Sequence, residues 1–173
     1  MLTQAEGFRA RVAARELQGE AEKATDHVAE SIQKDIPPVL EKLADEPSDS
    51  AALPESVPPA SQSVRREIEL SHRGTVWRVS IELAMDPSLE DWIAVSDRPA
   101  TKEACREITV RLSLLHPFMQ RYCRPESFEI EALTRVAAAL GLAEITARDS
   151  GVRQYGTIRR NVNQLLRNAL SKP

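Results

Sequence analysis

Few residues of this chain have the type and spacing that chemistry requires. Its six glycines (Gly7, Gly19, Gly74, Gly141, Gly151 and Gly156) never gather into a phosphate-cradling loop and never lead into Gly-Lys-Ser/Thr, so no nucleotide cradle is written here. Three histidines (His27, His72, His116) and two cysteines (Cys105, Cys123) are scattered along the chain, which fits neither a four-ligand metal site nor a disulfide framework. No serine or cysteine stands in a recognisable nucleophile elbow. We therefore expect no catalytic, cofactor-binding or metal-ligating residue.

Two features remain. His116-Pro117-Phe118 follows a strand-like run and opens a helical one. Proline suits the first turn, the imidazole can cap the helix, and Phe118 and Tyr122 can pack at i, i+4; the alternative is a functional histidine at a strand–helix junction. The second feature is a basic cluster, Arg148, Arg153, Arg159, Arg160 and Arg167 with Lys172, set against Asp149 alone, so that residues 145–173 carry 6 − 1 = +5. Guanidinium groups suit bidentate contacts to phosphate or carboxylate, and Asn161, Asn163, Gln164 and Asn168 add hydrogen-bonding capacity. These arginines are candidate nucleic-acid or partner contacts, or else the solvated, intramolecularly paired face of a helix.

The net charge of −3 argues neither for nor against nucleic acid, but it is unevenly placed. Residues 1–64 hold 6 Lys/Arg against 12 Asp/Glu (−6), and residues 65–173 hold 17 against 14 (+3). An acidic arm and a basic tail follow, and each could serve as a partner for the other.

Among the elements that must position these groups, residues 1–46 read as a helical arm. Phe8, Val12, Leu17, Val28 and Ile32 recur at helical spacing on a narrow, alanine-rich stripe, suited to self-association or docking on a protein partner. Ile36-Pro37-Pro38 is expected to stop or kink the helix, with a short restart from Pro38 to Ala44. Residues 47–64 read as a mobile linker, since 47–63 hold four prolines and five serines in 17 positions.

From residue 65 to 173 the period switches to two. Ile68 and Leu70, then Trp77, Val79, Ile81 and Leu83 across the His72-Arg73-Gly74 turn, then Trp92–Ser96, then Ile108, Val110, Leu112 and Leu114 predict four strands. Helices are expected over about 126–148 and 156–170. The fold class is α+β: an amino-terminal helical arm, then a four-stranded antiparallel meander with one wet face, packed with carboxy-terminal helices. Six of seven aromatics (Trp77, Trp92, Phe118, Tyr122, Phe128, Tyr155) lie in this part, so the core of the 173-residue, 19.2 kDa chain is expected here. No apolar run approaches 18 residues and no signal-peptide pattern opens the sequence, so neither membrane nor export is expected, and a reducing cytoplasm is the expected home.

The runs Arg111-Leu-Ser-Leu-Leu-His-Pro-Phe-Met-Gln-Arg-Tyr122, Leu133-Thr-Arg-Val-Ala-Ala-Ala-Leu-Gly-Leu-Ala-Glu-Ile-Thr-Ala147 and Gly156-Thr-Ile-Arg-Arg-Asn-Val-Asn-Gln-Leu-Leu-Arg167 resemble the carboxy-terminal region of large bacterial ATP-binding proteins of the gyrase/chaperone/histidine-kinase/MutL (GHKL) superfamily. MORC-like members of that group are associated with DNA restriction and phage defence. The resemblance spans about residues 10–173 and rests on ordinary residues. It implies an ATPase domain upstream of Met1, none of whose ATP-site residues has a counterpart here. The expected function is a non-catalytic protein-interaction or oligomerisation module of such a protein, with a nucleic-acid-binding domain using the arginines as the alternative.

Overall fold

The structure is a computed structural model and describes residues 18–19, 21–23, 26, 29–30, 33–42, 53–102, 105–124 and 127–172. Phe8, Val12, Leu17, Val28 and Ile32, the expected helix-interface stripe, lie outside them. The described residues between 18 and 42 are all helical (α1), and residues 33–42 run through Pro37 and Pro38 without a break. The expected stop at those prolines, with a restart at Pro38, is therefore corrected. Each proline removes one donor and crowds the preceding turn; here the packing of this end holds the helix together. Val39 is buried, and Lys172 Nζ reaches Asp35 Oδ1 at 3.7 Å, tying the end of α1 to the end of the chain.

Four strands follow: β1 (Ser63–His72), β2 (Thr75–Ala84), β3 (Ile93–Arg98) and β4 (Arg106–Ser113). β1 and β2 form an antiparallel hairpin whose two-residue turn, Arg73-Gly74, has positive φ at both positions (49° and 76°). That is the mirror-image turn whose twist matches flanking strands, and glycine takes its second position without steric cost. The sheet is α+β in setting, yet it is not the expected meander. Its order is β1-β2-β4-β3, with β2 and β4 parallel and β3 antiparallel to β4 on the far edge.

The burial of β4 explains the order. Seven of its eight residues are buried and Glu107 is half-buried, as suits a central strand with both faces covered. Its alternation of Ile108, Val110 and Leu112 with Thr109, Arg111 and Ser113 had implied one wet face. Instead Ser80, Glu82, Ser96, Thr109, Arg111 and Ser113 are all buried. The face tolerates them because its charges are paired: the Arg111 guanidinium donates to Glu82 through Nε (3.1 Å) and Nη2 (3.3 Å).

Residues 53–62, within the expected linker, pack against the sheet. Leu53 joins the hydrophobic core, Pro54 O accepts from Asp97 N (2.9 Å), and Pro58 and Pro59 border a cavity of about 390 Å³ with Ala94 and Arg111. Ser61 N donates to Asp86 Oδ2 at 2.7 Å. The Ser88 hydroxyl and the amides of Ser61 and Ser88 hold the Asp86 carboxyl well below the usual carboxylate range. Prolines need no ladder donor, so an extended Pro-rich stretch can lie along a sheet using its carbonyls alone.

Three helical elements cover the other face: α2 (Pro117–Tyr122), α3 (Ser127–Asp149) and α4 (Thr157–Leu165), the last widening into a π turn over Leu166–Leu170. α3 packs on β3 and β4, and Gly141 is its point of closest approach. A Cβ there would lie 2.7 Å from Val110 Cγ2 and 3.2 Å from Val95 Cγ2. Gly141→Val is expected to lower stability by about 1–3 kcal/mol through overpacking, measured as a lower urea midpoint with an unchanged slope. No helix among the described residues is long and apolar enough to cross a membrane.

Candidate interaction surface

The five candidate arginines do not assemble into one free stripe. Arg159 Nε donates to Glu144 Oε2 (2.8 Å), and Arg167 reaches Glu90 Oε2 (3.1 Å) and Asp91 Oδ1 (3.2 Å). Burial pushes the Glu144 carboxyl up, and Arg159 opposes that shift. Arg148 lies against Asp97 and Asp149, with its guanidinium 6.0 Å from the Tyr155 ring centre. Arg153 is exposed, while Arg160 Nε is buried without a hydrogen-bond partner among the described residues. Three of the five thus serve as counter-ions to acids of the domain itself. Among the described residues, Asp35–Lys172 is the ion pair that links the acidic arm to the basic tail.

A charged cluster that sequence reasoning passed over sits where α3 ends over the sheet. Asp97 falls in phase with Ile93 and Val95, and Arg106 with Ile108, Val110 and Leu112, so both side chains point to the apolar face. The Asp97 side chain has no exposure and that of Arg106 has 10%. Arg106 donates to Asp97 through Nε (2.9 Å) and Nη2 (2.7 Å), and to Asp149 through Nη1 (2.6 Å) and Nη2 (3.0 Å), with its guanidinium 4.5 Å from the Trp77 ring centre. These contacts push the Arg106 pKa up and hold the Asp149 carboxyl below its usual range. A charge at a core-phase position was the signal in the sequence. A cleft of about 440 Å³ opens beside the cluster, lined among others by His72, Arg73, Trp77, Arg148 and Ser150. Within it, Arg106 and Arg148 are already matched by Asp97 and Asp149, which leaves Arg73 on the turn.

His116 is fully enclosed. Its Nδ1 accepts from Phe118 N at 3.2 Å, capping α2 and leaving the ring proton on Nε2, which has no partner. Burial holds the imidazole pKa below its ordinary value. The capping role anticipated for this residue is the one its geometry performs.

The two edges of the sheet differ sharply. β3 is capped at two points on its outer side: Asp97 N donates to Pro54 O, Ile93 N donates to Asn163 Oδ1 (3.1 Å), and Asn163 Nδ2 donates to Ile93 O (2.9 Å). β1 is open. Nine of its ten residues are exposed, and its helix-side positions Val64 (48%) and Ile68 (58%) lie beyond the strands on which α3 packs. An edge of this length offers N–H and C=O groups to another strand, with the Arg65 carbonyl already accepting from Arg66 Nη1 at 3.0 Å. Among the described residues no group of three or more His, Cys, Asp or Glu could hold a metal ion. No protein-family model, curated protein or solved structure matches the chain.

Proposed function

We propose that the chain is a non-catalytic protein-interaction or oligomerisation module, acting as the carboxy-terminal part or a relative of a GHKL-type ATPase. The observation that carries the interaction reading is the contrast between the two sheet edges. One is closed by Asn163 and Pro54, whereas the other presents ten residues of strand with apolar side chains above it. The parentage rests on the resemblance alone. An interaction module needs surface rather than a reactive centre, and the arginines paired within the domain favour it over nucleic-acid binding, since a paired guanidinium gives up its counter-ion before it can neutralise a phosphate.

Light scattering on the full chain is expected to return a mass above 19.2 kDa that depends on concentration. A mobility-shift assay with duplex DNA and single-stranded RNA at low salt is expected to show no shift. A strong shift, weakening with salt and lost in Arg159→Glu/Arg160→Glu, would replace this proposal with the nucleic-acid one.

A further inference from the structure

The open edge has a sequence that can complement itself. We propose that β1 pairs antiparallel with β1 of a second copy about a two-fold axis at Glu67, joining two four-stranded sheets into one of eight. The proposal deepens the interaction reading above and rests on it.

A two-fold axis perpendicular to the sheet keeps the helix-covered faces of both copies on the same side. Residues directly opposite in an antiparallel pair also share a face. Each residue must therefore meet one of its own phase, and the axis must pass through a residue. Centring on Glu67 pairs residues 63–71 of β1 (Ser63–His72). Arg65 then faces Glu69 of the second copy and the reverse, Val64 faces Leu70, and Arg66 faces Ile68. Centring on Ile68 pairs as many residues but sets Glu67 against Glu69, and centring on Arg66 shortens the ladder and sets Arg66 against itself.

Opposite charges across strands stabilise and like charges destabilise, by roughly 0.2–1 kcal/mol per pair, so the Glu67 register is favoured, with Glu69 shared between Arg65 of the second copy and Arg78 of its own sheet, which already reaches it at 3.0 Å. Its one like-charge meeting, Glu67 with its own copy, is tempered by Arg65 Nη2 at 2.9 Å on each side. On the helix side, Val64 and Ile68, now 48% and 58% exposed, gain the Leu70 side chain and the Arg66 stem of the other copy as cover. Because α3 packs on β3 and β4, it leaves the proposed seam uncovered.

The test uses the full chain with Cys105 and Cys123 replaced by serine. Glu67→Cys is expected to form a disulfide-linked dimer on mild oxidation, since opposite Cα atoms in such a pair lie about 5.5 Å apart, within the roughly 4.4–6.8 Å a disulfide spans. Val76→Cys, exposed on β2, reports random collision and is expected to stay monomeric on a non-reducing gel. Ile68→Lys and Arg65→Glu, made separately in the unmodified chain, are expected to raise the dissociation constant roughly tenfold with circular dichroism unchanged. A chain that is monomeric at about 100 µM overturns the proposal together with the self-association form of the interaction reading. An oligomer that neither links through residue 67 nor loosens in either variant overturns the β1 seam alone, leaving the interaction reading to another face.

Discussion

Replacing Asp97 with alanine is expected to lower the unfolding free energy by about 3–5 kcal/mol, the range for removing one partner of a buried ion pair. The Asp97 side chain has no exposure and receives the guanidinium of Arg106 in bidentate fashion and that of Arg148 as well. Its loss strands the Arg106 charge between Trp77 and a single remaining carboxylate, Asp149. Thermal unfolding should fall by about 10 °C, at roughly 2–4 °C per kcal/mol for a chain of this size. Asp97→Ala/Arg106→Leu is expected to be milder than the single change, because no unpaired charge is then left on the apolar face. A single variant as stable as the parent would show that the cluster contributes nothing net.

The same cluster sets an acid limit. Arg106 holds the Asp149 carboxyl below its usual range, and Ser88 does the same for Asp86. A carboxylate depressed in the folded state contributes stability that is present above its unfolded pKa of about 3.9 and lost as pH falls through the folded value. Glu144, raised by burial, acts in the opposite sense: it costs stability at neutral pH and the cost is relieved on acidification. Stability followed by circular dichroism is therefore expected to hold or rise slightly from pH 7 to about 4.5, as Glu144 is relieved, and to weaken below about 4. Asp149→Asn should flatten that loss.

The second large effect is expected at Asn163. Its side-chain amide takes the place of a neighbouring strand, accepting from Ile93 N and donating to Ile93 O. Both residues are buried, with Ile93 at 0% and Asn163 at 3% exposure. Asn163→Ala leaves two buried backbone groups without partners at about 1–3 kcal/mol each, so a loss of about 2–5 kcal/mol is expected. Amide exchange at Ile93 should quicken more than at Val110 in β4, because the opening is local to the β3 edge. Asn163→Asp keeps the acceptor but sets a carboxylate against Ile93 O, and should be no more stable than Asn163→Ala.

Much of the fold was legible from period and turn chemistry. Alternation placed all four strands within a few residues, Arg73-Gly74 marked the hairpin, and His116-Pro117 marked the start of α2. The order of the strands was not legible. Ile108, Val110 and Leu112 declare one apolar face, but Thr109, Arg111 and Ser113 read the same whether they face water or a paired Glu82. Whether β4 lies at the edge or the centre is decided by contacts made thirty residues away.

The opening questions of chemistry divide along the same line. Residue types and spacing show no local signature of a phosphate loop, zinc motif or nucleophile elbow, because those signatures require particular residues close together in the chain. They also marked five arginines, yet could not say which were already spoken for. Arg159 meets Glu144 and Arg167 meets Glu90 and Asp91 only because α3, α4 and the start of β3 are brought side by side. The closed edge at β3 and the open one at β1 are likewise tertiary facts: an exposed strand and a capped strand share one local period, and only packing determines which backbone groups remain free.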